Sequence, residues 1–174
     1  LGHQQAIAVG INYVAQELPD MPVVVMDSDG EDLPNTIQNL LEPLRKSNVD
    51  MVVAERKSRV ETLKFRAFYG IYKSLFRFLS GRKISFGNFM ALNPSAVKRL
   101  ANMEELWIHV AGCALASKLC IQICPIDRGP RYAGQSKMNF VGLVLHGFRA
   151  LMVFADDVLV RVGIACMGIA SFTI

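Results

Sequence analysis

Apolar positions fall at helical spacing from residue 4 to residue 18, where Ile7, Ile11, Val14, Ala15 and Leu18 share one face, so an amphipathic helix opens the chain. Val23, Val24, Val25 and Met26 then form a short β-branched run of the kind found in a buried parallel strand. That run gives way to Asp27-Ser28-Asp29-Gly30-Glu31-Asp32. Pro34 suits the first turn of a helix, and Ile37, Leu40, Leu41 and Leu44 carry that helix on. A second strand, Met51 to Ala54, leads into Glu55-Arg56-Lys57-Ser58-Arg59, and a long helix rich in Phe and Tyr is predicted from about Glu61 to Ser80. Gly87 to Leu92 reads as a strand, Asn93-Pro94 as a helix start, residues 104–117 as a helix and Leu119 to Ile126 as a last strand. A polar loop from Asp127 to Lys137 precedes an apolar amphipathic helix from about Met138 to Phe154. Alternating strands and helices predict an α/β domain with a largely parallel sheet. Ligands of such sheets collect beyond the carboxyl ends of the strands, where three polar clusters here would share one rim.

Composition changes the picture at the C-terminus. The 174 residues suit one domain with a real core, and 52% of them are hydrophobic, with a mean hydropathy of +0.30. The excess gathers late, and Val162 to Ile174 holds no charged residue. That run is shorter than the ~20 residues a bilayer span needs. Because the chain starts at Leu1 and stops inside the run, it is read as a fragment cut at both ends, with the start of a transmembrane segment at 158–174. A buried C-terminal helix of a soluble domain is the other reading. The net charge is +4. Basic residues group between Arg56 and Arg82 and between Arg128 and Lys137, which favours a phosphate, a diphosphate or acidic lipid head groups as partner. No nucleic-acid recognition motif is present. Cys113, Cys120, Cys124 and Cys166 form no zinc-ligand pattern and read as buried, reduced thiols, which fits a cytosolic face.

The candidate chemistry begins with Asp27 and Asp29, two apart in a turn after a strand. Carboxylates so close repel unless a cation lies between them. Hard oxygen ligands suit Mg²⁺ or Mn²⁺, and Glu31 adds a third carboxylate. A solvated turn that ends a strand, bent at Gly30, is the alternative. A strand followed by Asp-x-Asp-Gly also resembles the first motif of haloacid dehalogenase phosphatases, with Asp27 as nucleophile. Their late acidic pair could only be Asp156-Asp157.

With the basic loop included, the order of motifs resembles family 2 glycosyltransferases of the GT-A fold, of the polyprenyl-phosphate sugar synthase type exemplified by dolichyl-phosphate mannose synthase. Gly2-His3-Gln4-Gln5-Ala6 is similar to the family's Gly-rich helix start, and Val24 to Asp29 to its Asp-x-Asp strand end. Glu31-Asp32-Leu33-Pro34 is similar to Gln-Asp-x-Pro, Val52 to Arg56 to the next strand and its Arg, and Gly87-Asn88-Phe89 to Gly-Asp-Phe. Arg131 to Lys137 resembles the Arg-x-x-Gly-x-Ser-Lys loop and is the most specific match.

The resemblance implies a Rossmann-like GT-A domain at 1–137 that lacks its first strand, an interfacial helix at 138–157, and a nucleotide-diphosphate-sugar donor. It implies Asp27 and Asp29 as catalytic residues, Asp29 and Glu31 as ligands of Mg²⁺ or Mn²⁺, and Asp27 toward the nucleotide. Arg56, Asn88, Arg131, Ser136 and Lys137 would bind substrate. The expected partners are the donor, a polyprenyl-phosphate acceptor and membrane lipid, with the site on the cytoplasmic face and nucleic acid excluded. Glu31 and Asn88 depart from the family's usual Gln and Asp, and Asn88 cannot serve as a base. A lipid phosphate needs none, since its second pKa near ~6 leaves it mostly dianionic at neutral pH. A hydroxyl acceptor would require one, with Glu104 or Glu105 as the available candidates. His109 is expected to pack within its helix, and His146 to sit on the interfacial helix. A membrane-tethered binding module without turnover is the remaining alternative, and the fragment alone is expected to be inactive.

Overall fold

The computed structural model describes residues 2–46, 48–56, 63–133 and 140–172, with the backbone alone at 56, 63–68, 140 and 172. Helix α1 (His3–Glu17) opens the chain. It ends because Leu18 precedes Pro19, which disfavours a helical conformation at Leu18, and Leu18 turns out to solvent rather than joining the buried face. Strand β1 (Val23–Val25) is half-buried rather than buried. A 3₁₀ turn at Pro34–Thr36 leads into α2 (Ile37–Lys46). Pro43 inside α2 has no N–H for the Asn39 carbonyl, and the Cys124 thiol lies 3.7 Å from that oxygen instead. The sheet continues with β2 (Met51–Arg56), β3 (Met90–Leu92) and β4 (Ile121–Ile126). Between them come α3 (Leu63–Ser80), α4 (Pro94–Ala101) and α5 (Val110–Ala116). Asn93 caps α4, its Oδ1 accepting from Ala96 N at 2.7 Å, with Pro94 as the first helical residue.

The strands order as β1-β3-β2-β4. β1, β2 and β4 run in one direction, but β3 lies antiparallel between β1 and β2, so only β2 and β4 form a parallel pair. The sheet is therefore mixed, a correction to the largely parallel sheet expected. β3 also begins at Met90 rather than Gly87, and its short buried run looks the same from sequence in either direction. Side chains alternate along the strands and create two cores. Met51, Val53, Met90 and Leu92 pack with Ala8 and Ile11 of α1, Leu100 of α4 and Val110 of α5. Val52, Ala54 and Ala91 face the other way, onto Leu40 of α2. The result is a three-layer α/β domain.

Residues 104–117 are not one helix. A 3₁₀ turn at Glu104–Trp107 stops at His109, whose extended backbone and ring nitrogen start α5 anew. Of the four cysteines only Cys113 is buried, which pushes its thiol up to about 12.

Helices α6 (Phe140–Met152) and α7 (Ala155–Phe172) pack against α3 around Phe76, Ala150 and Phe154. Phe76 and Phe154 meet edge to face at 5.9 Å. Asp156 and Asp157 lie in the first turn of α7, where the helix dipole favours them. Arg161 Nη1 donates to the Phe78 carbonyl at 3.2 Å. The stripe expected to face the membrane from α6 faces protein instead. Gly147 is buried against Tyr72, whose hydroxyl donates to its carbonyl at 3.1 Å, while Leu143, Val144 and Leu151 are half-buried. The solvent side of α6 is also apolar, with Val141, Leu145, Phe148 and Met152 exposed. Ile71, Leu75 and Phe78 of α3 and Leu159, Val160, Ile164 and Met167 of α7 are exposed as well. Among the described residues, no helix is long and apolar enough to cross a membrane.

Candidate functional site

The carboxyl ends of β1, β2 and β4 lie on one rim, and the turn after β1 is built there from its own side chains. Asp27 N donates to Asp32 Oδ2 at 2.9 Å, and Glu31 N donates to Asp29 Oδ1 at 3.0 Å, an Asx-type closure. Gly30 takes φ +91°, and a Cβ there would stand 2.7 Å from the Tyr132 ring. Glycine is required twice over, by conformation and by space.

The loop after β4 folds across to this turn, although β1 and β4 are opposite edges of the sheet. Tyr132 N donates to the Asp29 carbonyl and Gly129 N to the Glu31 carbonyl, both at 2.9 Å. Charge follows the backbone. Arg131 Nη2 lies 2.9 Å from Asp29 Oδ2 and 3.4 Å from Glu31 Oε2, and Arg128 pairs with Glu31. Glu31 Oε2 is buried and receives no well-directed hydrogen bond, so its contacts with the two guanidiniums are ionic only. Asp27 faces elsewhere, with Oδ1 3.0 Å from His3 Nε2.

Asp29 and Glu31 thus aim oxygens at one cationic nitrogen, and hard carboxylate oxygens in that arrangement suit Mg²⁺ or Mn²⁺. Among the described residues, no three His, Cys, Asp or Glu side chains converge as a metal cage. An ion held here would take its remaining ligands from substrate phosphates.

The other expected residues are placed as follows. The Arg56 backbone ends β2 opposite Ile126, on the same rim; its side chain, with Ser136 and Lys137, lies outside the described residues. Asn88 Oδ1 is 3.4 Å from Gln4 Nε2. Glu104 is exposed and Glu105 half-buried in the 3₁₀ turn.

A second polar cluster lies between α1, α5 and α6. His109 Nδ1 accepts from Gly112 N at 3.0 Å, which leaves the ring proton on Nε2 for donation to His146 Nε2 at 3.1 Å. Burial, with His146 and Arg149 beside it, pushes His109 down to about 3. His146 is lowered too, by burial and then by His3 and Arg149. Next to the pair, a cavity of about 220 Å³ is lined by Gly2, Gln4, Gln5, Trp107, Ile108 and Arg149. Sequence reasoning assigned no role to His3, Gln4, Arg128 or the histidine pair. Their contacts join residues as much as 106 positions apart, and no local spacing signals them.

A comparison with curated proteins found no match. The family model described as glycosyl transferase family 2 matches residues 1–105, more than half of the chain, a stretch that carries the acidic turn, Arg56 and Asn88. This removes the phosphatase alternative, as does the position of Asp156 and Asp157 on α7, a helix packed on α3 and α6. With an α/β domain whose acidic turn and basic loop meet at one rim, the chain belongs to glycosyl transferase family 2, enzymes that move a sugar from a nucleotide-sugar donor to an acceptor.

Proposed function

We propose that the acceptor is a polyprenyl phosphate at a membrane surface and that transfer depends on Mg²⁺ or Mn²⁺. The observation that carries the reading is the pairing of Asp29 and Glu31 with Arg131 and Arg128, which binds the turn and the basic loop into one charged site. Asp29 and Glu31 would hold the ion, which when bound offsets charge on the departing diphosphate. Asp27 faces the nucleotide side. Arg131, with Arg56, Ser136 and Lys137 from the sequence pattern, binds and orients phosphate oxygens, and a guanidinium can do so with two parallel bonds. In the reaction the acceptor phosphate oxygen forms a bond to the anomeric carbon. The carbon–oxygen bond to the nucleoside diphosphate breaks, and its electron pair leaves with the diphosphate. The acceptor is already anionic, so positioning and charge suffice and Asn88 need not be a base. The apolar residues exposed on α3, α6 and α7 support a lipid surface.

The test is calorimetry with a nucleoside diphosphate and Mn²⁺ on the wild type and on Asp29→Ala, beside a transfer assay with polyprenyl phosphate. Metal-dependent nucleotide binding should be lost in the variant. Equal affinity in both would sink the metal assignment, and transfer only to a water-soluble hydroxyl would sink the lipid-phosphate acceptor.

A further inference from the structure

Gln4 is nearly fully buried at 4% exposure, yet every polar atom of its carboxamide is engaged. Oε1 accepts from Val110 N, the first residue of α5, at 2.7 Å. Because a backbone N–H must meet an oxygen, this contact fixes which end of the carboxamide is which. Nε2 therefore points at His3 Nδ1 and at Asn88 Oδ1, each 3.4 Å away. An amide N–H aimed at Nδ1 calls for a lone pair there, which assigns the proton of a neutral His3 ring to Nε2. That nitrogen is the one 3.0 Å from Asp27 Oδ1. One polarity thus runs through the set, from Gln4 to His3 to Asp27. Its second branch reaches Asn88, and its anchor is the start of α5.

We propose that Gln4 and His3 are positioning residues of the donor site: Gln4 sets the tautomer and plane of the His3 ring, and His3 in turn holds Asp27 Oδ1 away from Asp29. Asp27 and Asp29 lie two residues apart with opposite anchors, His3 on one and Arg131 on the other. The two carboxylates are kept apart without a ligand, and Asp27 Oδ2 stays available to the donor. The anchor matters because Val110 follows the turn that carries Trp107 and His109, so the carboxylate turn is tied to that side of the cleft through one buried side chain. The proposal rests on the glycosyl-transfer reading only for its kinetic consequence, not for the tautomer.

Gln4→Glu is the discriminating change. The carboxylate keeps the shape and still accepts from Val110 N, but it can no longer donate to His3 or Asn88. Nitrogen NMR of the full chain reads the ring directly: His3 should carry its proton on Nε2 alone in the wild type, whereas in Gln4→Glu carboxylates face both ring nitrogens and both should carry a proton. A wild-type His3 protonated on Nδ1 would overturn the proposal whatever the protein's activity. Kinetics supply the second arm, through a double-mutant cycle with His3→Ala. Gln4→Glu and His3→Ala should each lower kcat/KM by ~10–100-fold, the usual range for a residue that orients a ligand, and the pair should cost little more than either alone. Fully additive losses, or a fall in Tm that accounts for them, would mean that Gln4 merely fills the core. A wild type that binds no nucleoside diphosphate would remove the donor-site reading and leave the tautomer result standing.

Discussion

Between pH 7 and pH 5 the protein should lose stability chiefly through His109, because its folded form resists the proton that its unfolded form takes up. The folded value is depressed from 6.5 to about 3, first by burial and then by His146 and Arg149. For a base depressed in this way, the stability it contributes is complete above 6.5 and is lost as pH falls through the window down to about 3. Proton linkage for a single site with these values gives a loss of about 2 kcal/mol between pH 7 and pH 5. His146 adds to it with the same sign. The groups facing the ring are His146 and Arg149 from α6, and among the described residues no carboxylate is paired with it to offset a positive charge. The single tryptophan, Trp107, lines the cavity that Arg149 of α6 also lines, so its fluorescence follows the docking of that helix during urea unfolding. The control is His109→Asn, whose side-chain oxygen can still accept from Gly112 N and cap α5 but does not titrate. The wild type should lose at least about 2 kcal/mol on going from pH 7 to pH 5, and the variant should lose about 2 kcal/mol less than the wild type. Equal losses in the two proteins would refute the claim that His109 is held neutral by burial.

Two further outcomes follow from particular contacts. Gly30→Ala should destabilise by about 1–3 kcal/mol in thermal melts and weaken nucleotide binding, since φ +91° is costly for any Cβ and the Tyr132 ring stands 2.7 Å from where one would be; an unchanged Tm would show that the turn tolerates another backbone path. Leu145→Glu with Phe148→Glu changes two exposed residues of α6 and should leave Tm nearly unchanged while reducing liposome flotation by at least ~10-fold, given ~1.5–3 kcal/mol for burying each apolar side chain; undiminished flotation would move the membrane contact to another face.

The acidic turn was legible because it is local. A β-branched run, two carboxylates and a glycine within the eight residues from Val23 to Gly30 state both the end of a strand and a charged site, and the turn closes on its own Asp32 and Asp29. That Arg131 would reach it was legible only through the order of motifs, since β1 and β4 lie at opposite edges of the sheet and no periodicity predicts that their loops meet. Strand direction was not legible at all. Met90-Ala91-Leu92 is buried on both faces, and such a run reads alike whether parallel or antiparallel. The break at His109 escaped because histidine is an uncommon cap and the apolar spacing continues across it. α6 misled for a different reason. It is apolar on nearly every side, so helical spacing marked one stripe when two exist, one against Tyr72 and the other toward solvent. Gly147 decides between them, because only a residue without a Cβ lets the Tyr72 ring come so close. Burying the stripe around Gly147 leaves Val141, Leu145, Phe148 and Met152 as the surface that a membrane would cover. The same docking brings His146 onto His109 and Arg149 to the cavity beside Gln4, so the helix proposed to meet a lipid surface also lines that cavity.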